Sequence, residues 1–256
     1  MTRSRWVAVL ALAVAIAGCA PVIRGAGPAV TAPLLEDGIF VAADGTRLTY
    51  RTWMPTKGMA NAVIVALHGF NDYSHFFDAA GTWLADRGIA SYAYDQRGFG
   101  LSPDRGFWAG KETYARDLTA FTALVRANHP GLPVYLLGDS MGGAVTLVAM
   151  TGADRPAVDG AILVAPAVWG RATMPWYQRA PLVLSVRLMP GVRLTPRGLN
   201  IKPSDNIAML RALGRDPLVI KETRTDTIWG LVNLMDTALA AAARFDTRAL
   251  ILYGAR

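Results

Sequence analysis

The sequence predicts an α/β domain whose mainly parallel sheet is covered by helices on both faces. Three observations predict it. Short apolar runs alternate with amphipathic stretches of helical length between residues 62 and 164. Runs such as Ala62–Leu67 (AVIVAL) are continuously apolar, as expected for strands buried on both faces. One run, Val134–Leu137, leads straight into Gly138-Asp139-Ser140-Met141-Gly142-Gly143 and then into a helical pattern. That is the strand–turn–helix setting in which a G-x-S-x-G turn carries meaning.

Folded sequence is expected from near Gly38. Ile39–Val41, a turn at Asp44-Gly45 and Leu48–Trp53 read as an antiparallel hairpin. After the AVIVAL strand, Phe76–Arg87 reads as a helix stopped by Gly88, and Ile89–Tyr94 as the next strand. Glu112–Asn128 is a longer amphipathic helix ended by His129-Pro130-Gly131. Met141–Ala153 is the helix after the serine, and Ala161–Val164 a further strand. The alternation stops after Pro166. Residues 168–232 contain six prolines, scattered aromatics and short helical pieces, and read as a helical lid inserted over the carboxyl ends of the strands. Asp236–Arg244 returns to helix and Ala249–Tyr253 to strand. The core is thus expected as 38–167 and 233–256, with the lid at 168–232 between them.

The N-terminus predicts export. Arg3 and Arg5 precede the apolar stretch Trp6–Ala17, which is too short to span a bilayer comfortably and suits a signal peptide over residues 1–18. Ile16-Ala17-Gly18-Cys19 resembles the lipobox of bacterial lipoproteins, which implies lipidation at Cys19 and a membrane anchor. Residues 19–37, rich in Ala, Gly and Pro from Pro21 to Pro33, then read as a lipidated tether. Ala20 follows the cysteine where an aspartate would retain the product at the inner membrane. The expected location is therefore the outer membrane of a bacterial cell envelope.

Composition narrows the function. A hydrophobic fraction of 52% supplies ample core. Cys19 is the single cysteine, so an intrachain disulfide is excluded. The formal charge is +7, but no basic block or RNA-binding signature accompanies it, so nucleic acid is not an expected partner. No zinc-ligand spacing is found, and no metal site is expected.

Residues 138–143 are the candidate chemistry. The serine sits on a turn so tight that its neighbours two positions away must be small. Gly138 and Gly142 let strand and helix approach, and Gly143 keeps the first helical turn slim. The turn pushes the Ser140 hydroxyl outward as a nucleophile. A tetrahedral oxyanion needs two preorganised N–H donors. Met141, the residue after the nucleophile, offers one, and Phe70 in the loop after the AVIVAL strand offers the other. His68 and Gly69 support that loop.

HGFNDYSHFF at 68–77, YDQRGFGLS at 94–102 and GDSMGG at 138–143 together resemble the α/β-hydrolase superfamily. More narrowly they resemble its monoacylglycerol lipase and lysophospholipase-like branch, the serine aminopeptidase S33-like proteins. The resemblance runs from Gly38 to Arg256. It implies a serine esterase acting on acyl-ester lipids through a Ser-Asp-His triad, without metal or cofactor. It also implies Ser140 as nucleophile, Met141 and Phe70 as oxyanion donors, and a loop-shaping role for Asp95, Arg97 and Gly98. Haloalkane dehalogenases are disfavoured, because they carry aspartate where this chain has Ser140. A peptidase of the S33 type shares the motifs.

The chain departs from the family at the triad. The order in this fold is serine, acid, histidine. The resemblance puts the acid in G-x-x-D after a strand like ILYG, and Gly254-Ala255-Arg256 fills only the first three positions. His68, His75 and His129 all precede Ser140. The sequence therefore predicts a fold lacking its last strand and helix, a truncated hydrolase inactive as it stands. The rival expectation is a pseudoenzyme that binds an acyl ligand without turnover.

The lid carries ten Lys and Arg against four Asp and Glu, an excess of +6. With Trp169, Trp176, Tyr177 and Trp229 in the same segment, this suits an anionic lipid surface or a phosphate-bearing acyl substrate.

Overall fold

The computed structural model describes residues 20–195 and 204–254. The signal peptide expected at 1–18, the lipidation expected at Cys19, and Ala255 and Arg256 lie outside these residues.

The strands are β1 (Leu34–Glu36), β2 (Ile39–Val41), β3 (Arg47–Trp53), β4 (Ala62–Leu67), β5 (Ile89–Tyr94), β6 (Val134–Asp139), β7 (Gly160–Val164), β8 (Arg193–Leu194), β9 (Thr223–Arg224) and β10 (Ala249–Leu252). Eight of them form one sheet in the order β1-β2-β3-β5-β4-β6-β7-β10. The first three are antiparallel, and β5, β4, β6, β7 and β10 run parallel. β8 and β9 form a separate two-stranded ladder in the lid.

Alternation along β4 shows how the layers arise. Val63, Val65 and Leu67 face the larger core, while Ile64 and Ala66 face a smaller one with Phe77 and Ala93. One face of the sheet carries α1 (Asp78–Ala85), where Gly81 leaves room for the Trp53 indole. The larger core, on the other face, lies under α2 (Lys111–Asn128), α3 (Met141–Met150) and α6 (Thr225–Ala242), whose Leu118, Phe121, Val145 and Leu234 are fully buried. This is the α/β-hydrolase fold. α4 (Trp176–Leu188) and α5 (Ile207–Arg215) belong to the lid.

Two segments differ from expectation. The helix expected from Asp236 begins at Thr225 and runs unbroken to Ala242, so the lid's last turns belong to a core helix. Gly230 lies inside this helix, and a Cβ there would lie 2.3 Å from Trp108 Cγ. The segment read as a tether contacts the domain at several points from Val22 onward. Val22 N donates to Asp226 Oδ2 at 3.1 Å, Arg24 N to the Trp108 carbonyl at 2.8 Å, and Leu34–Glu36 adds a strand to the sheet.

β4 sits between β5 and β6, so the chain leaves it towards opposite sides of the sheet. Such a reversal opens a crevice at the carboxyl ends of the central strands. Register pairs Leu67 with Gly138, which sets the loop after β4 beside the turn after β6.

Candidate active site

Ser140 occupies the turn between β6 and α3 at φ 46°, ψ −107°. For a residue with a Cβ this is a strained conformation, held only where the surroundings over-determine it. Here they do. Ser140 N donates to the Val164 carbonyl at 2.9 Å, and Ser140 O accepts from Ala144 N at 3.1 Å and Ala167 N at 2.9 Å. The glycines are required by close approach. A Cβ on Gly138 would lie 2.5 Å from the Gly142 oxygen, and one on Gly142 2.4 Å from the Leu67 oxygen. A Cβ on Gly143 would meet Pro166 at 2.8 Å. Met141 is the first residue of α3, so its N–H has no intrahelical partner.

The loop after β4 comes directly alongside. A Cβ on Gly69 would lie 3.5 Å from Ser140 Cβ and 2.8 Å from Asp139 Oδ2, so a side chain there would press on the Asp139 carboxylate. Phe70 follows and packs edge-on to Phe99 at 5.8 Å between centroids. His68 is fully buried. Its Nε2 accepts from Gln96 N at 3.0 Å, which leaves Nδ1 as the donor to the Gly69 carbonyl at 2.8 Å. Burial lowers the His68 pKa, against the opposing effects of the Gly69 hydrogen bond, Asp95 and Asp72. Both ring nitrogens are thus committed to shaping the loop.

The motif after β5 is wired to the same framework. Asp95 accepts from Ser74 N at 2.9 Å and from Leu101 N at 2.8 Å. Arg97 forks between Asp117, at 2.7 Å, and Asp44, at 2.8 Å, with all three side chains buried. Burial alone would raise the Asp44 pKa, but Arg97 and Thr46 hold it well below the usual carboxylate range. Gly98 turns at φ 82°, where a Cβ would strike the Phe107 carbonyl at 2.1 Å.

The remaining histidines lie elsewhere. His75 is half exposed, pairs with Asp78 at 2.5 Å and stacks on Tyr73. His129 ends α2 and meets the Tyr92 hydroxyl at 2.8 Å, and burial lowers its pKa. None of the three histidines is placed as a partner of the Ser140 hydroxyl.

Three features of the site went unread in the sequence. Asp139, inside the motif, has its carboxyl pushed up to about 6, first by burial and then by Asp72. Asp72 is itself raised by burial. Asn71 adopts φ 67° and ties the loop after β4 to the segment around β9: its Nδ2 donates to Thr223 Oγ1 at 2.7 Å, and its carbonyl accepts from Ile220 N at 2.9 Å. An asparagine just beyond a glycine-bearing loop was the available signal, since asparagine tolerates the left-handed region better than most residues.

The profile of the family described as serine aminopeptidase, S33, matches residues 58–256. The human monoglyceride lipase is 35% identical over 130 residues, covering 50% of this chain and 42% of that protein. The monoacylglycerol lipase of Mycolicibacterium smegmatis is 29% identical over 195 residues, covering 73% of this chain and 62% of that protein. The matched stretches thus span about half the length of these relatives. Among solved structures, a soluble variant of the Saccharomyces cerevisiae monoglyceride lipase in complex with a substrate analog superposes with a TM-score of 0.64 at 19% identity, over 93% of this chain and 90% of that one. The Paleococcus ferrophilus monoacylglycerol lipase does so with a TM-score of 0.65 at 21% identity, over 81% and 77%.

Proposed function

The chain belongs to the serine aminopeptidase S33 family, on the α/β-hydrolase fold, and on that premise we propose that it acts on a carboxylic ester of an acylglycerol-type lipid through Ser140. The observation that carries the reading is the strained Ser140 turn set against the Gly69-Phe70 loop. Ser140 Oγ attacks the acyl carbonyl. The N–H groups of Met141 and Phe70 receive the oxyanion, and the alcohol leaves as the acyl-enzyme forms. Water then releases the fatty acid. The substrate class rests on the human and mycobacterial lipases, which are named for monoacylglycerols.

The attack needs a base for the Ser140 proton, and the three histidines are committed to Gly69 and Gln96, to Asp78 and to Tyr92. We therefore infer that the triad acid and histidine come from sequence beyond Arg256. The apolar row Leu250, Ile251 and Leu252, exposed along β10, supports this, because an edge of that character suits a further strand. Without a histidine, a serine hydrolase loses on the order of 10⁶-fold in turnover. The same commitment of the histidines favours a second reading, a lipoprotein that binds an acyl ligand and does not turn it over. A lipid anchor at Cys19, directing the chain to the outer membrane, completes the proposal.

The experiment compares the 256-residue chain with any longer reading frame on a p-nitrophenyl acyl ester, alongside Ser140→Ala. Turnover confined to the longer form and lost in Ser140→Ala is the expected result. A clean stop codon with no hydrolysis from any form leaves the acyl-binding reading in its place. Robust turnover by the 256-residue chain refutes the inferred source of the base. Incorporation of labelled palmitate, abolished in Cys19→Ala, tests the anchor.

A further inference from the structure

Beside the oxyanion loop lies a cavity of about 440 Å³, walled by Arg105 from the loop before α2 and by Arg193, Ile220, Lys221, Glu222 and Arg224 from the lid. Four cations face one carboxylate. Arg105, Arg193 and Lys221 are exposed and Arg224 is partly buried, yet all four line the same cavity. Arg193 and Arg224 stand directly opposite each other in the β8–β9 ladder, a cross-strand pairing of like charges that is unfavourable by itself. Among the described residues, only Arg224 of these four is neutralised, by a forked contact with Asp226 at 2.7 and 2.9 Å. Arg105 donates to the Pro217 carbonyl and Lys221 to the Leu213 carbonyl, neither of which offsets a charge. Asp216, an acid that acts on Lys221, is engaged by the Tyr73 hydroxyl at 2.7 Å and Leu218 N at 2.8 Å. Desolvation pulls the Lys221 pKa down and Arg105 adds to the fall, against Asp216 and Asp72. The cavity wall also reaches the candidate active site through the backbone, since Ile220 N donates to the carbonyl of Asn71, the residue after Phe70.

We propose that this cavity holds the phosphate of a single-chain acyl phospholipid, so that the preferred ester is one carrying a phosphate head group. The inference rests on the acyl-ester reading above and narrows its substrate. An arginine cluster suits a phosphate because each guanidinium offers planar, paired donors to its oxygens. With Arg224 paired to Asp226, such an anion would be met chiefly by Arg105, Arg193 and Lys221.

Calorimetric titration of the full chain tests this without requiring turnover. The ligands are monooleoyl lysophosphatidic acid below its micelle concentration, monooleoylglycerol, glycerol phosphate and inorganic phosphate. The expected result is binding of the lysophosphatidic acid about tenfold or more tighter than monooleoylglycerol, weakening as salt rises. The double variant Arg105→Gln/Lys221→Gln removes the difference and leaves monooleoylglycerol binding intact. Arg193→Gln, on β8, gives a smaller loss in the same direction and guards against a local folding defect. Equal binding of the two lipids, or a preference that survives the double variant, overturns the inference and leaves the acyl-ester reading standing. Failure of both lipids to bind overturns both. Inorganic phosphate binding as tightly as the lipid makes this a free-anion site and overturns the lipid assignment. A loss confined to anionic vesicles, with no preference among the soluble ligands, makes it a membrane contact instead.

Discussion

Asn71 and Thr223, 152 residues apart, are joined by a 2.7 Å hydrogen bond from Nδ2 to Oγ1 that ties the loop bearing Phe70 to the return strand of the lid. Thr223 is buried, and Asn71 is held at φ 67°. The lid's attachment therefore bears on the backbone that would aim an oxyanion donor. Substituting Asn71 by alanine removes the bond and places a less tolerant residue in the left-handed region. A destabilisation of about 1–3 kcal/mol is expected by denaturant unfolding. Asn71→Gly relieves the strain but not the lost bond, and should recover part of it. Hydrogen exchange at the Ile220 amide should rise in both variants. An Asn71→Ala protein as stable and as protected as the parent would show that the bond does not hold the lid.

The turn around Ser140 predicts a sharp contrast between two glycines. In Gly142→Ala the new methyl meets the carbonyl oxygen and carbon of Leu67 at 2.4 and 2.7 Å. Both are backbone atoms of a central strand and have nowhere to move. A loss of roughly 3 kcal/mol or more is expected, with α3 lifting from the sheet. At Gly214 in α5 a methyl would meet no described atom within 4 Å, and φ is not positive there. Gly214→Ala should instead stabilise by about 0.5–1 kcal/mol, through helix propensity and a less flexible unfolded chain. Thermal unfolding of the two variants separates these outcomes, and a tolerated Gly142→Ala would contradict the packing.

Asp139 predicts a pH dependence of stability. Its carboxyl is raised to about 6 in the folded chain by burial and by Asp72, whereas an unfolded aspartate titrates near about 3.9. Below about 4 both states hold the proton. Between about 4 and 6 the folded state retains it while the unfolded state releases it, so stability falls as pH rises through that window. Asp139→Asn removes the ionisable group. It should flatten this part of the profile and leave the protein more stable than the parent at neutral pH by about 1–3 kcal/mol. Unfolding measured in urea at several pH values gives the comparison, and parallel profiles for parent and variant would refute the assignment.

Much of this architecture is legible in the sequence because its causes are local. The AVIVAL run announces β4 because a strand buried on both faces has no polar position. GDSMGG announces the Ser140 turn because glycines at 138 and 142 are the local condition for strand and helix to touch. His68 is readable as a residue of the β4 loop, but its tautomer is not, because that depends on Gln96, 28 residues away.

What the sequence determined by itself was the order of strands and helices from β2 to β7 and the glycine-flanked Ser140 turn, since periodicity and turn sterics act within a few residues. Tertiary structure decided the rest. The helix read from Asp236 starts at Thr225 instead, with Gly230 set against the Trp108 indole. The stretch after Ala20 reads as a tether until Val22 reaches Asp226, 204 residues away. The cations of the lid read as a diffuse excess until β8 and β9 set Arg193 against Arg224 around one cavity. In each case the deciding partner lies far along the chain, and only packing brings it within reach of a hydrogen bond, a ring or a charge.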